Sequence, residues 1–501
     1  MSRVLYRHCR LPGLIPGHAA ILVADGAIGW LGSDAGDAPT EADRAQQVDL
    51  GGALVTPAFV DAHVHATATG LALDGLDLHA AGSRQAVLDA VAEYARRTGD
   101  SVILGTGWDE SAWSDPRPPT ADELDQAAAG RPVYLSRVDV HSALASRALL
   151  ARCPGVGGHA GYVHSGLMYR DAHHAVRQAA LAAVTDEHRA AAQRRTRRHA
   201  ASLGIGCLHE MAGPEVSGAA DLSSLLALAA AEPGPEIVGY WGALDDIDTP
   251  RRLGVQAGGD LFCDGAIGSR TAALWEPYAD RPTSGHLYQD DSAVAEHLIA
   301  CTEAGLQAGF HAIGDRALAA VAGGLRKAAA AVGTDRIRAG RHRVEHAELA
   351  EPDAISTFAD LAAVASVQPA FDARWGGPGG MYETRLGTAR AAALNPFAGY
   401  AAAGVALAFG SDSPVTPMDP WGGIRAAVLH HEPTARLSQE TAFAAATSGG
   451  WTAARRPGSG RLAVGAPATF AVWDTGEMPD LAAGEPNPVC RLTVVSGTPV
   501  G

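Results

Sequence analysis

The stretch LVTPAFVDAHVH, residues 54–65, is the part of the chain that decides the fold. It opens with an apolar run, residues 54–60, typical of a buried strand, and it closes with His63-Val64-His65. Residues i and i+2 of a strand point to the same side, so the two imidazoles face one point. A shared transition metal is the usual reason for such a pair, and two hydrogen-bonded structural histidines are the alternative.

Seven more short apolar runs follow, separated by Ala-rich and Leu-rich stretches of helical character. Alternation of strand and helix favours a parallel α/β fold, and eight strands are the number that a (β/α)8 TIM barrel needs. A doubly wound sheet is the competing architecture, but no Gly-x-Gly-x-x-Gly opens a helix after the first strand. The predicted barrel strands are residues 54–60, 205–209, 236–241, 260–263, 306–311, 342–346, 364–368 and 405–410.

Both ends of the chain are rich in strand patterns and lack long helical periods. Residues 20–31 have the pattern of a hairpin, and residues 469–497 hold a similar β-rich segment. Because chain ends often meet, we predict one small composite β-sandwich domain from residues 1–53 and 455–501. The barrel domain then takes residues 54–454.

Residues 66–200 form a connection that is too long for a simple βα unit. They hold strand-like runs at residues 102–105 and 133–136, separated by a Pro-rich segment. A long insertion after the first strand stands over the C-terminal mouth of a barrel, where active sites form. We therefore predict a cap that shapes the substrate pocket, with a decorative or oligomerising insertion as the alternative.

Composition excludes several classes of function. A formal charge of −16 over 501 residues argues against a nucleic-acid or anionic-membrane surface. Six cysteines without a Cys-x-x-Cys pair suit a reduced, cytoplasmic protein. No export signal is evident, and no apolar stretch is long enough to cross a bilayer. We expect a small-molecule substrate and, from base rates alone, a homodimer.

Polar residues recur at the carboxyl ends of the predicted strands. His63 and His65 end the first strand, His311 and His346 end two later strands, and Asp412 follows the last. Each residue alone is more often structural than a ligand, but together they occupy the layer where a barrel performs chemistry. Imidazoles combined with a carboxylate suit zinc or another borderline divalent metal.

Three longer motifs resemble those of a known family. They are FCDGAIGSRTA at residues 262–272, HAIGDRA at residues 311–317 and GWDE at residues 107–110. With the histidine pattern, they make the chain similar to the metal-dependent amidohydrolase superfamily. The closer resemblance is to its amidohydrolase-3 branch, which includes N-substituted formamide deformylases. The resemblance covers nearly the whole chain.

The resemblance implies a distorted barrel of the metal-dependent hydrolase type and a role for each polar residue. His63 and His65 would bind the more buried metal, and His311 and His346 would bind a second one. Asp412 would bind the first metal and act as general base, carrying a proton to the leaving nitrogen. The implied reaction uses a metal-activated hydroxide to cleave a non-peptide C–N bond of an amide, formamide or cyclic amide.

One position departs from the family pattern. Similar proteins place a carboxylated, metal-bridging lysine two residues before the phenylalanine of FCDGAIGSRTA, where this chain has Asp260. In one interpretation Asp260 bridges two metals directly. In a second, Asp260 is not a ligand and Glu210 supplies a carboxylate instead. In a third, the site holds one metal, with His346 assisting the ligands His63, His65, His311 and Asp412.

Four further residues are candidates for substrate contacts. His141 lies in a phrase resembling the branch's Arg-x-Asp-Gly-His motif and would polarise the substrate carbonyl, unless it is structural. Trp108 would line an apolar pocket, although tryptophans often simply pack. Arg270 would clamp a substrate carboxylate or form a structural salt bridge. Arg374, on a Gly-rich mobile loop, would contact substrate.

Two other classes of function remain open at this point. The replacement of lysine by Asp260 is compatible with a degenerate homologue that binds a ligand without turnover, although the retained histidines argue against it. A metal-dependent deaminase or decarboxylase needs similar ligands. Product analysis separates these enzymes from an amide hydrolase.

Overall fold

The computed structural model describes residues 3–33, 39, 44–99, 101–110, 113–138 and 142–500. Contacts within the chain divide it into two compact units. The first unit combines Met1–His65 with Arg197–Gly501, and the second is Ala66–Thr196. The residues predicted to bind metal all belong to the first unit.

Strands and helices alternate through most of the described residues. The strands are β1 (Arg3–Leu11), β2 (Ile15–Ala24), β3 (Ala27–Ser33), β4 (Gln46–Asp49), β5 (Val55–Pro57), β6 (Phe59–Val64), β7 (Leu76–Asp77), β8 (Ile103–Trp108), β9 (Val133–Arg137), β10 (Ser142–Ala145), β11 (Leu167–Tyr169), β12 (Ile205–Ala212), β13 (Glu236–Trp241), β14 (Gly309–Ala312), β15 (Arg343–His346), β16 (Val364–Val367), β17 (Ala406–Phe409), β18 (Phe470–Trp473), β19 (Cys490–Val495) and β20 (Thr498–Val500).

The helices are concentrated between the two β-rich ends. They are α1 (Ala66–Asp74), α2 (Arg84–Arg97), α3 (Ala121–Ala127), α4 (Arg147–Leu150), α5 (Arg170–Ala182), α6 (Asp186–Ser202), α7 (Ala219–Ala231), α8 (Asp248–Leu253), α9 (Asp291–Ala304), α10 (Asp315–Val332), α11 (Thr334–Gly340), α12 (Pro352–Asp360), α13 (Pro369–Trp375), α14 (Met381–Leu386), α15 (Thr388–Ala391), α16 (Phe397–Ala403), α17 (Pro420–Val428), α18 (Gln439–Ala444) and α19 (Gly450–Ala453).

Two parallel sheets form the centre of the first unit. One has the order β13-β12-β6, and the other has the order β14-β15-β16-β17. Every residue of β6, β12, β14, β15 and β16 is buried, as expected for parallel strands covered on both faces. The near-continuous apolar runs of the sequence follow from this double burial.

Backbone contacts link the two parallel sheets at both edges. On one side Asp412 N donates to His63 O at 2.8 Å, and His65 N donates to Ser413 O at 3.0 Å. On the other side, isolated parallel bridges lead from Tyr240 through residues 256–262 to β14. This arrangement is consistent with the distorted (β/α) barrel that the sequence predicts.

Two of the predicted barrel strands are corrected by the structure. The apolar run at residues 54–60 serves two sheets, because Val55–Pro57 pairs with β18 and the parallel strand begins only at Phe59. Residues 260–263 do not form a strand, and only Phe262 makes a bridge, to His311. Gly259 has a φ of +88°, a conformation that interrupts an extended chain at this point.

The two ends of the chain form two four-stranded sheets, β3-β2-β1-β4 and β20-β19-β18-β5. Both contribute to one apolar cluster, in which the rings of Tyr6 and Phe470 meet edge to face at 5.2 Å. These contacts explain why neither end needs a long helix to bury its apolar side chains. The exact boundaries of a composite domain stay a prediction.

The second unit contains a five-stranded sheet with the order β11-β10-β9-β8-β7. Apolar side chains of the unit form two clusters, one of which includes Trp108 and Trp113. Its predicted role as a cap over the substrate stays a prediction. In the part of the chain that the structure describes, no helix is long and apolar enough to span a bilayer.

Candidate metal centre

Five predicted ligands lie where strands of the first unit end. His63 is the penultimate residue of β6, and His65 follows that strand directly. His311 lies in β14, His346 is the last residue of β15, and Asp412 lies shortly after β17. All five are buried or nearly so, which shields their interactions from bulk water.

Asp260 lies in the middle of the four histidines. Its Oδ2 is 3.2 Å from His65 Nε2. Its Oδ1 is 3.5 Å from His63 Nε2, 3.5 Å from His346 Nε2 and 3.4 Å from His311 Nδ1. One carboxylate therefore contacts both the pair from β6 and the pair from β14 and β15. The two pairs of histidines thus share one carboxylate, as the interpretation of a bridging Asp260 expects.

Asp412 contacts the same centre from the segment that follows β17. Its Oδ1 lies 3.1 Å from His65 Nε2 and 3.5 Å from His63 Nε2. The loop that carries it is anchored by Asp61, which accepts hydrogen bonds from Ser411 N at 2.9 Å and from Ser411 Oγ at 2.6 Å. The position of the Asp412 carboxylate is thus set by the strand that carries the two histidines.

Two of these residues have a backbone conformation that side chains other than glycine rarely adopt. His346 has a φ of 67° and Asp412 has a φ of 53°. Such conformations cost roughly 1–3 kcal/mol and persist only where the surrounding structure imposes them. Here backbone hydrogen bonds hold both segments, from Ala347 N to Ala312 O and from Asp412 N to His63 O.

The donor set fits a divalent metal. His63 Nε2 is buried and has no hydrogen-bond partner, which is costly for a polar atom unless a ligand is bound there. Glu210 is not a member of any candidate ligand group among the described residues, so the geometry favours Asp260 as the additional carboxylate. Those groups, with ligand atoms within 4.8 Å of one another, are His63–His65–Asp260, Asp260–His311–His346 and His63–His346–Asp412.

The imidazoles and carboxylates of the centre shift each other's pKa values. Burial alone would lower the pKa of His63, but Asp260 and Asp412 raise it well above its ordinary value. The same carboxylates, acting against burial, raise the pKa of His65 to about 10. Burial would raise the pKa of Asp260, but the surrounding histidines hold it well below its usual range. The carboxylates therefore favour the protonated forms of His63 and His65 in the metal-free centre.

A second set of buried charges lies directly behind the histidines. Glu345 Oε2 is 3.0 Å from His63 Nδ1, and Arg343 Nε donates to Glu345 Oε1 at 2.7 Å. Burial would raise the pKa of Glu345, but Arg343 and His63 lower it to about 2. Sequence reasoning missed this pair, although two charged residues on one face of a predicted central strand are a signal of pairing.

The four predicted substrate contacts have different outcomes. His141 lies outside the described residues. Trp108 is 1% exposed and its indole N–H donates to Leu135 O at 2.9 Å, which favours the packing alternative. Arg270 forms a two-bond ion pair with Asp280, at 2.9 and 2.6 Å, in agreement with the structural alternative. The prediction of a loop at Arg374 is wrong, because the residue lies in helix α13. Its guanidinium is 5.7 Å from the ring centroid of Trp375, and its role toward substrate stays a prediction.

Two aromatic side chains pack beside His346. The ring of Phe371 is stacked on His346 with the centroids 6.1 Å apart, and Trp375 lies 4.8 Å from Phe371. Both belong to an apolar cluster that also includes Ile313 and Leu349, which follow β14 and β15. The centre therefore combines polar ligands with an apolar flank, as small-molecule sites commonly do.

Comparison with known proteins places the chain among relatives of similar length. It is 28% identical over 451 residues to YtcJ of Bacillus subtilis (strain 168), whose name describes an amidohydrolase, with 82% of this chain and 80% of that protein covered. It is 30% identical over 157 residues to the N-substituted formamide deformylase of Arthrobacter pascens, covering 30% of this chain and 28% of that one.

A solved structure shares the fold over almost the full length. It is an uncharacterized metal-dependent hydrolase from Pyrococcus horikoshii OT3, with a TM-score of 0.81, 23% identity, and coverage of 97% of this chain and 100% of that one. The model of the Amidohydrolase family matches residues 46–500. That match confirms the resemblance inferred from the motifs, and the chain belongs to the Amidohydrolase family.

Proposed function

We propose that the protein is a metal-dependent hydrolase that cleaves a non-peptide C–N bond in an amide, a formamide or a cyclic amide. The observation that carries the proposal is the contact of one buried carboxylate, Asp260, with four histidines. Membership of the Amidohydrolase family supports metal-dependent hydrolysis. A protein that only binds a ligand has no evident need for this set of buried ligands.

The ligand groups support two metal ions. His63–His65–Asp260 and Asp260–His311–His346 have only Asp260 in common, so each could hold one ion with the aspartate between them. Bound there, a divalent metal would acidify a water molecule and polarise the substrate carbonyl. Zinc is the metal that imidazole and carboxylate ligands suit best.

Asp412 is the residue proposed to move the proton. Its Oδ1 lies on the same side of the centre as His63 Nε2 and His65 Nε2. Burial would raise the pKa of Asp412, but the neighbouring histidines lower it below its ordinary value, so the carboxylate is ionised and can accept a proton. It would then deliver that proton to the nitrogen that leaves when the C–N bond breaks.

The substrate class is inferred from the names of two relatives and from the aromatic side chains beside His346. The names of YtcJ and of the deformylase support an amide-like bond, although the deformylase match covers 30% of this chain. Phe371 and Trp375 beside His346 support an apolar group next to that bond. The cytoplasmic location, the homodimer and the catalytic role of His141 stay predictions.

The test combines elemental analysis with a substrate panel of formamides, linear amides and cyclic amides. We expect bound divalent metal, turnover that a chelator abolishes and zinc restores, and an amine with formate or another carboxylate as products. Release of ammonia from a ring would indicate a deaminase, and release of carbon dioxide would indicate a decarboxylase. Absence of metal after reconstitution would overturn the proposal.

A further inference from the structure

We infer that Glu345 is a positioning residue of the metal centre, which fixes the tautomer of His63, and that Arg343 holds Glu345 in place. The inference rests on the proposed function, because it assumes that His63 binds a metal. It concerns residues that contact neither substrate nor metal. Its basis is the pattern of hydrogen bonds around three completely buried side chains.

The contact between Glu345 and His63 defines which ring nitrogen of His63 can bind a metal. Glu345 Oε2 lies 3.0 Å from Nδ1 of His63, and an ionised carboxylate only accepts hydrogen bonds. Nδ1 must therefore carry the proton in the metal-bound form. The lone pair of Nε2 is then directed toward Asp260 and Asp412, where a metal would lie.

Arg343 fixes the carboxylate from the opposite side. Its Nε donates to Glu345 Oε1 at 2.7 Å, and its Nη2 donates to Glu345 Oε2 at 3.0 Å. Nη2 also donates to Ala62 O at 2.6 Å, directly before His63, and to Ser366 Oγ at 2.9 Å. The guanidinium thus joins β15 to β6 and β16. Since Arg343 compensates the charge of Glu345, the pair can be buried behind the metal centre.

His63 differs from His65 and His346 in the acceptor that faces its outer ring nitrogen, Nδ1. The outer nitrogen of His65, Nδ1, lies 3.0 Å from Met211 O, and that of His346 lies 2.8 Å from Gln368 Oε1. Both of those acceptors are neutral, whereas His63 faces a carboxylate. A carboxylate makes the imidazole a stronger metal ligand than a neutral acceptor does. The ion held by His63 should therefore depend most on this outer contact.

The experiment compares Glu345→Gln with Asp372→Asn. Asp372 Oδ2 lies 3.0 Å from His431 Nδ1, so this buried carboxylate pairs over the same distance, outside the centre, with an imidazole that is 43% exposed. Zinc affinity is measured by chelator competition, and the geometry is followed by the visible spectrum of the Co²⁺ protein. We expect about 10–100-fold weaker binding of one ion and an altered Co²⁺ spectrum in Glu345→Gln. Asp372→Asn should change neither.

Glu345→Asp provides the answer if Glu345→Gln does not fold. It keeps the charge but withdraws the carboxylate from His63, so it should also weaken zinc binding and shift the Co²⁺ spectrum. Wild-type affinity with an unchanged spectrum in either folded variant would overturn the inference. Failure of the wild-type protein itself to bind a divalent ion would instead overturn the proposed function, so the two failures are distinguishable.

Discussion

Asp260 Oδ2 lies 3.2 Å from His65 Nε2, although 195 positions separate the two residues in the sequence. The other oxygen of the same carboxylate contacts His63, His311 and His346. The short side chain of an aspartate can place its carboxylate among the four imidazoles. The proposed two-metal stoichiometry therefore depends on Asp260.

Removing Asp260 should reduce the metal content. In Asp260→Ala we expect about two ions per chain to fall to about one or fewer, because each proposed ion loses a ligand and the imidazoles lose their counter-charge. Elemental analysis after gel filtration measures this directly. Asp280→Ala, which removes a carboxylate from an ion pair outside the centre, should keep the wild-type content. Retention of both ions in Asp260→Ala would contradict the bridging role.

Replacing Asp412 by asparagine should separate metal binding from catalysis. Asparagine cannot accept the proton, so kcat should fall by about 10²–10⁴-fold while at least one ion stays bound. The measurement is kcat on a substrate identified by the panel, with the metal content determined on the same sample. A variant that keeps its metal and retains nearly normal kcat would show that another group moves the proton.

Metal affinity should increase with pH. In the metal-free protein the carboxylates raise the pKa values of His63, His65 and His346, so these imidazoles hold protons that a metal must displace. Raising the pH removes this competition, and lowering it strengthens the competition. Zinc titration calorimetry in buffers of different ionisation enthalpy should detect proton release at pH 7. Binding without proton release would contradict the charge arrangement described for the centre.

His342 should contribute to acid sensitivity of the fold. Burial lowers its pKa to about 3, and its Nδ1 accepts a hydrogen bond from Ala308 N at 3.0 Å. In the unfolded chain His342 binds a proton near pH 6.5, whereas in the folded protein it stays neutral down to about pH 3. The free energy of unfolding is therefore unaffected by this residue above pH 6.5 and falls as the pH is lowered from 6.5 toward 3. In that range the free energy of unfolding should change by up to about 1.4 kcal/mol per pH unit because of His342.

Urea denaturation of the metal-free protein between pH 4 and 7 tests this expectation. His342→Gln keeps an acceptor for Ala308 N but does not titrate, so its unfolding free energy should vary less with pH than that of the wild type. Equal pH slopes in the two proteins would show that the buried imidazole is not responsible.

Gly258 should be intolerant of a side chain. A Cβ built there would lie 2.0 Å from Gly309 N, in the neighbouring strand β14. Gly258→Ala should therefore destabilise the protein by about 1–3 kcal/mol and displace Asp260, two residues away, with loss of metal. Gly423→Ala, in α17 with open space around it, should instead stabilise by about 0.5–1 kcal/mol. Equal thermal stability of the two variants would contradict this account.

Much of the first unit could be predicted from local pattern. Apolar runs of strand length indicated the parallel strands, because strands buried on both faces must be apolar throughout. The alternation of side chains along a strand made His63 and His65 neighbours, and the barrel rule assigned His311, His346 and Asp412 to one end. The role of Asp260 was predicted only by resemblance, and the strand predicted at residues 260–263 does not form.

The amino-acid sequence by itself determined the family, the parallel architecture and the residues able to bind a metal, because these depend on residue type and short-range period. Only the tertiary structure decided what those residues contact. It divided the apolar run at residues 54–60 between two sheets, buried Trp108 and paired Arg270 with Asp280. It also placed Glu345 behind His63, 282 positions away. Such partners are chosen by packing across distant segments, which no local pattern records.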